Sequence, residues 1–224
     1  MKMTEVSKKA RVFLVDDHPI VRRGLGSLIA LEPDLVVCGE ADGRPAALEQ
    51  IQKLQPDLVM VDLALKNSSG LELVKDLRTQ CPKVKVLVFT MHDEPIYAER
   101  VLKAGAHGYF TKEEGAEKAV GAIRQVLQGR AYLTGRLAER MLETMTGFAK
   151  SKNAGTVESL SDRELEVLEL IGRGLGSAEI AHRLKLSVKT IESHRENIKT
   201  KLGLRRATEL VQYAFNWVQS ERRI

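Results

Sequence analysis

Two stretches, RVFLVDD at Arg11–Asp17 and LVMVDLA at Leu58–Ala64, share one design: a run of apolar residues that ends on aspartate. An apolar run without polar alternation is the mark of a strand covered on both faces, as in a parallel sheet between two layers of helices. VKVLVFT at Val84–Thr90 repeats the design and ends on a hydroxyl, and GYFTK at Gly108–Lys112 ends on an ammonium. Candidate strands are Arg11–Val15, Leu35–Glu40, Leu58–Val61, Val84–Phe89 and Gly108–Phe110. Helical periodicity falls after each of them, at Pro19–Leu31, Arg44–Leu54, Gly70–Thr79, Pro95–Ala104 and Glu114–Gln128. Strands that alternate with helices predict an α/β domain over residues 1–128, a doubly wound parallel sheet of five strands.

In such a sheet ligands bind beyond the carboxyl ends of the strands, where the strand order reverses. The first strand ends at Asp16 and Asp17 and the third at Asp62, so three carboxylates converge on one small pocket. Three close anions call for a hard cation, and oxygen ligands with retained water suit Mg²⁺. Thr90 and Lys112 end the fourth and fifth strands. A carboxylate nucleophile, a cation, a hydroxyl and a lysine together make a site for phosphoryl transfer, where positioning and charge stabilisation do most of the work.

After Gly129 the strand pattern stops. Leu137, Met141, Met145 and Phe148 recur at helical spacing within Gly135–Phe148, and Ser151–Val157 is small, polar and charged, so residues 129–157 read as a linker with an amphipathic helix. Residues 158–224 predict a small all-α domain of four helices. Ser161 and Glu164 form a capping box for the first, which ends near Gly172–Gly176. Ser177 is the expected N-cap of the second, ending near Leu184; Ser187 caps the third, which stops at Leu202 with Gly203; the fourth runs from Ala207 to Gln219. On a wheel of about 100° per residue, Ile191, Ile198 and Leu202 form the buried face of the third helix, and Lys189, Ser193, Glu196 and Thr200 lie opposite.

The chain has 224 residues and a net charge of +5. Residues 1–128 carry 18 basic and 18 acidic side chains, so the whole excess lies behind them; Ser187–Arg206 alone holds six basic against two acidic. A neutral front and a basic patch behind suggest a sensor joined to a nucleic-acid binder. With 43% hydrophobic and 29% charged residues the chain is not disordered, and its apolar runs fall far short of the roughly 20 residues a bilayer requires, so no membrane contact is expected. No apolar stretch follows the N-terminal lysines as in a signal peptide, and Cys38 and Cys81 have neither zinc nor disulfide spacing, so a cytoplasmic location is expected.

Asp16-Asp17, Asp62 in LVMVDLAL, Thr90 in VLVFTMHDE and Tyr109-Phe110-Thr111-Lys112 resemble the receiver domain of bacterial response regulators. The stretch LSDRELEVLELIGRGLGSAEIAHRLKLSVKTIESHRENIKTKLGL, Leu160–Leu204, is similar to the LuxR-type helix-turn-helix. Together they resemble the NarL/FixJ family. The resemblance implies that Asp62 accepts a phosphoryl group from a sensor histidine kinase. Mg²⁺ would then be held directly by Asp17 and Asp62 and the Ala64 carbonyl, and by Asp16 through water. It further implies that Thr90 and Lys112 hold phosphoryl oxygens, and that Tyr109 turns inward when Thr90 is drawn to the phosphate. In the second domain it places Glu192, Ser193 and Glu196 at bases and Lys189, Thr190, Arg195, Lys199 and Lys201 at the backbone of double-stranded promoter DNA. The implied output is a homodimer on activation, formed through the receivers, the last helix or both, with RNA polymerase a further partner.

Lys66 stands where receivers often have proline, and Met91, a packing residue by this reading, where they often have a small residue. Ala64 has no side chain to activate water, which points to slow self-dephosphorylation. It also argues against a phosphatase on the same kind of sheet, which needs an acid/base two residues after its nucleophile. An alternative is a DNA-binding regulator whose receiver works without phosphorylation. Gly24-Leu25-Gly26 lacks the third glycine of a dinucleotide fingerprint, and Gly172–Gly176 lacks the GK[ST] of a phosphate loop.

Overall fold

A computed structural model describes residues 9–65, 69–91, 95–133, 135, 138–139 and 156–220. Lys66, His92 and nearly all of the helix expected at Gly135–Phe148 lie outside the described residues. The chain forms two compact units, Met1–Ala138 and Glu139–Ile224.

The first unit runs β1 (Ala10–Val15), α1 (Pro19–Ala30), β2 (Leu35–Ala41), α2 (Arg44–Leu54), β3 (Leu58–Val61), α3 (Gly70–Gln80), β4 (Lys85–Thr90), α4 (Pro95–Ala104), β5 (Gly108–Thr111), α5 (Glu117–Leu127) and β6 (Tyr132–Leu133). All pairings are parallel, in the order β2-β1-β3-β4-β5-β6. The order reverses between β1 and β3, where the apolar runs end on Asp16 and Asp62. Successive side chains of a strand point to opposite faces. Val12, Leu14, Met60, Leu87, Phe89 and Phe110 therefore share one core with α1 and α5. Phe13, Val15, Val59, Val61, Val88 and Tyr109 are buried on the other side.

The expectation of five strands is corrected to six. Tyr132–Leu133 pairs with Gly108–Tyr109, and two residues are too few to show a period. α5 starts at Glu117 rather than at the expected Glu114. Gly115 takes φ 91°, outside the helical region, so Lys112–Glu114 forms a separate 3₁₀ turn.

The second unit contains α6 (Asp162–Gly172), α7 (Ser177–Leu184), α8 (Val188–Leu202) and α9 (Ala207–Ser220). Ser161 caps α6 as expected: its Oγ accepts the Glu164 N–H, while Glu164 Oε2 accepts the Ser161 N–H at 2.7 Å. The N-cap of α7 is Gly176, not Ser177, because Glu179 reaches back to the Gly176 N–H at 2.8 Å and fixes the start one residue earlier. Ile191, Ile198 and Leu202 are the buried residues of α8, as the wheel predicts, and pack with Val167, Leu168, Ile180 and Leu210.

Candidate functional site

Asp16 and Asp62 sit just past the ends of adjacent strands, joined by the Asp62 N–H donating to the Val15 carbonyl at 2.8 Å. Each is 3% exposed, a desolvation that isolated carboxylates do not tolerate without a partner. Lys112 supplies it: Nζ donates to Asp16 Oδ2 at 2.6 Å and to Asp62 Oδ2 at 2.5 Å. Burial works against the charge on this lysine, yet the field of Asp62 and its bonds to both carboxylates prevail and raise its pKa. The ammonium also lies 5.6 Å from the centroid of the Phe89 ring. From there rings continue to β6, with Phe89 stacked on Phe110 at 4.7 Å and Tyr132 edge-on to Phe110 at 5.7 Å.

Asp17 completes the cluster. Oxygens of Asp16, Asp17 and Asp62 and a ring nitrogen of His18 all lie within 4.8 Å of one another. Asp17 Oδ1 is buried, and the His18 Nδ1 lies 2.7 Å from it. Hard oxygens at this spacing fit a small divalent cation. Ala64 lies beside them, its N–H donating to Asp62 Oδ1 at 3.2 Å. Thr90 is fully buried at the end of β4, in register with Thr111, the residue before Lys112. Tyr109 is 1% exposed, already inward, on the sheet face opposite Phe110. Met91 is 60% exposed, so the packing role expected of it is corrected: it lies one residue past the strand, beyond the cover of the helices.

Sequence reasoning missed three residues here. Gly70 opens α3 directly against Asp62: a Cβ on it would stand 2.1 Å from the Asp62 carbonyl oxygen. His18 is the N-cap of α1, donates its backbone N–H to Asp16 Oδ1 at 2.8 Å and brings its ring to 2.7 Å from Asp17. Arg22 donates to the Asp16 carbonyl. Close approach and contacts to main-chain carbonyls leave no periodic trace in a sequence.

On α8, Lys189, Glu192, Ser193, Glu196 and Thr200 form an exposed stripe opposite the buried face. The remaining cations are already engaged. Arg195 lies 3.8 Å from Glu192 and Lys199 2.9 Å from Glu196, both side chains only 15% exposed. Thr190 shares its hydroxyl with Ser187 at 2.7 Å. Lys201 Nζ lies 2.6 Å from Glu164 Oε2, which ties α8 to the start of α6. Glu164 is 4% exposed. Burial pushes its carboxyl up, but the hydrogen bonds from Lys201 and Ser161 outweigh burial and hold it below the ordinary glutamate value.

Residues 12–124 match the response regulator receiver domain, and residues 158–214 match the bacterial regulatory proteins of the luxR family. The chain therefore belongs to the response regulators that join a receiver to a LuxR-type DNA-binding domain, and it is a DNA-binding regulator rather than an enzyme. It is 35% identical over 208 residues to the oxygen regulatory protein NreC of Staphylococcus aureus strain JH9, covering 91% of this chain and 96% of that one. A structure of RcsB from Salmonella typhimurium is similar at 26% identity over 93% of this chain and 98% of that one, with a TM-score of 0.71. RcsB of Salmonella enterica serovar Typhimurium, bound to a promoter with the phosphomimetic BeF₃⁻, matches at 26% identity over 93% of this chain and 100% of that one, TM-score 0.68. A LuxR-family two-component response regulator from Aurantimonas sp. SI85-9A1 is 35% identical, covering 62% of this chain and 99% of that one, TM-score 0.59.

Proposed function

We propose that Asp62 is the phosphoacceptor and that its phosphorylation by a sensor histidine kinase switches DNA binding. The observation that carries this is the pocket itself: two buried carboxylates bridged by Lys112, with Asp17 beside them. The ionised Asp62 attacks the phosphorus of the donor's phosphohistidine. The phosphorus–nitrogen bond breaks, its electron pair leaves with the imidazole, and an acyl phosphate forms. Lys112 transfers its bond from Asp62 to a phosphoryl oxygen, and the Thr90 hydroxyl donates to another. Asp16, Asp17, Asp62 and the Ala64 carbonyl would hold Mg²⁺, which offsets the charge of the phosphoryl oxygens. Movement of Thr90 towards the phosphate would favour the inward position of Tyr109.

Residues 1–128 act as receiver, 129–157 as linker and 158–224 as DNA-binding domain in this reading. Two phosphorylated chains bind two half-sites of a promoter, since two-fold proteins match paired sites spaced by helical turns. Glu192, Ser193 and Glu196 face bases, and Lys189, Thr190, Arg195, Lys199 and Lys201 the backbone. Among the described residues no helix is long and apolar enough to cross a membrane, consistent with action in the cytoplasm beside RNA polymerase. The test is selection of duplexes from a random pool by protein treated with acetyl phosphate and Mg²⁺. Enrichment by wild type and none by Asp62→Asn supports the switch. Equal enrichment by both would favour a receiver that works without phosphorylation.

A further inference from the structure

The main-chain carbonyl of Asp16 lies past the last ladder position of β1, where neither neighbouring strand can donate to it. A buried carbonyl in that position needs a donor from elsewhere. Arg22, in the first turn of α1, provides it: Nη1 donates to the Asp16 oxygen at 2.5 Å, and Nε donates to Glu40 Oε2 at 2.9 Å. The Arg22 side chain is 15% exposed, and Glu40 fixes the fork from the far side. The other end of Asp16 is anchored to β2, its N–H donating to the Ala41 carbonyl at 3.2 Å.

The Asp16 carbonyl shares a rigid plane with the N–H of Asp17. Whatever fixes that carbonyl fixes the plane that carries the Asp17 nitrogen and Cα, and so the point from which its side chain departs. Asp17 needs such help, because its buried Oδ1 is met at 2.7 Å by the Nδ1 of a His18 ring that is itself 63% exposed and so holds it loosely. We infer that Arg22, braced by Glu40, is a positioning residue that aims the Asp17 carboxylate at the cation of the phosphorylation pocket. This rests on the proposed reading of Asp16, Asp17 and Asp62 as cation ligands. Partners that orient metal ligands without touching the metal commonly matter 10- to 100-fold in affinity, on the order of magnitude known for such shells.

The sign of the effect separates positioning from charge. Arg22 is a cation close to a cation site, so by field alone its removal would tighten Mg²⁺ binding. Positioning demands the reverse. Calorimetric titration of the full chain with Mg²⁺ therefore decides, with folding checked by thermal unfolding without cation. Arg22→Met is expected to weaken Mg²⁺ about 10-fold. Arg22→Lys keeps the charge but loses the fork, and is expected to weaken it by a smaller factor. Arg23→Met removes the same charge from an exposed neighbour and is expected to leave affinity unchanged or slightly higher. Unchanged or tighter binding by Arg22→Met overturns the inference. If Arg22→Met fails to fold, wild-type affinity in Arg22→Lys overturns it instead. No Mg²⁺ binding by wild type would remove the cation site itself, and the inference with it.

Discussion

Neutralising a carboxylate of the pocket should make the receiver more stable, not less, while abolishing its response to cation. Asp17 is the residue to change. One of its carboxylate oxygens lies within 4.8 Å of oxygens on Asp16 and Asp62. At that separation each like-charge pair costs about 3.5 kcal/mol at an effective dielectric of about 20. Lys112 pairs with Asp16 and Asp62 and offsets much of this, and the 15% exposure of Asp17 lets water screen the rest. The remainder for Asp17→Asn is about 1–2 kcal/mol of added stability. For a unit of this size that corresponds to a rise in Tm of about 3–10 °C. The assay is scanning calorimetry in chelator and again in Mg²⁺. The sole tryptophan, Trp217, belongs to the second unit, so its fluorescence separates that unit's transition from the receiver's. Wild type should gain stability with Mg²⁺ and Asp17→Asn should not. A Tm for Asp17→Asn below wild type in chelator would refute the reasoning, since repulsion would then not be the dominant force on Asp17.

Other consequences follow from single contacts. Gly70→Ala places a methyl against the Asp62 carbonyl, so the start of α3 must shift; it should cost about 2 kcal/mol or more and slow Asp62 phosphorylation, read by denaturant unfolding and by mass. Lys201→Met leaves Glu164 buried without its cation and should destabilise the second unit by about 3 kcal/mol, read by Trp217 fluorescence in urea. Because Glu164 has a lowered folded pKa, its contribution is present above the unfolded value of 4.5 and is lost as pH falls through the folded one; Glu164→Gln should flatten that acid limb. Ala64→Asn puts a polar side chain where water must approach the acyl phosphate, and should shorten its lifetime severalfold in a chase followed by intact mass.

The sheet and its pocket were legible because the determining residues recur in one pattern: an apolar run stops, and a polar group stands at the stop. Asp16, Asp62, Thr90 and Lys112 all announce themselves this way. The faces of α8 were legible for the same reason, since Ile191, Ile198 and Leu202 keep helical period. What escaped was contact chemistry. Arg22 reads as one more cation on an amphipathic helix, and nothing in its spacing shows that its partner is a carbonyl. Lys201 reads as a DNA contact by position, and nothing in its spacing shows that it also pairs with Glu164. β6 was missed because two residues carry no period, and Gly115 because a turn inside a helical pattern shows only as one permissive residue.

The central claim is that Asp62 takes up phosphate and that this changes the state of the chain. Intact mass after treatment with a small phosphodonor and Mg²⁺, run beside native mass and with Asp62→Asn as control, tests it most directly. The account predicts one added phosphoryl group on wild type only, together with a shift from monomer to dimer. No addition to wild type under any condition, or equal addition to Asp62→Asn, would contradict it.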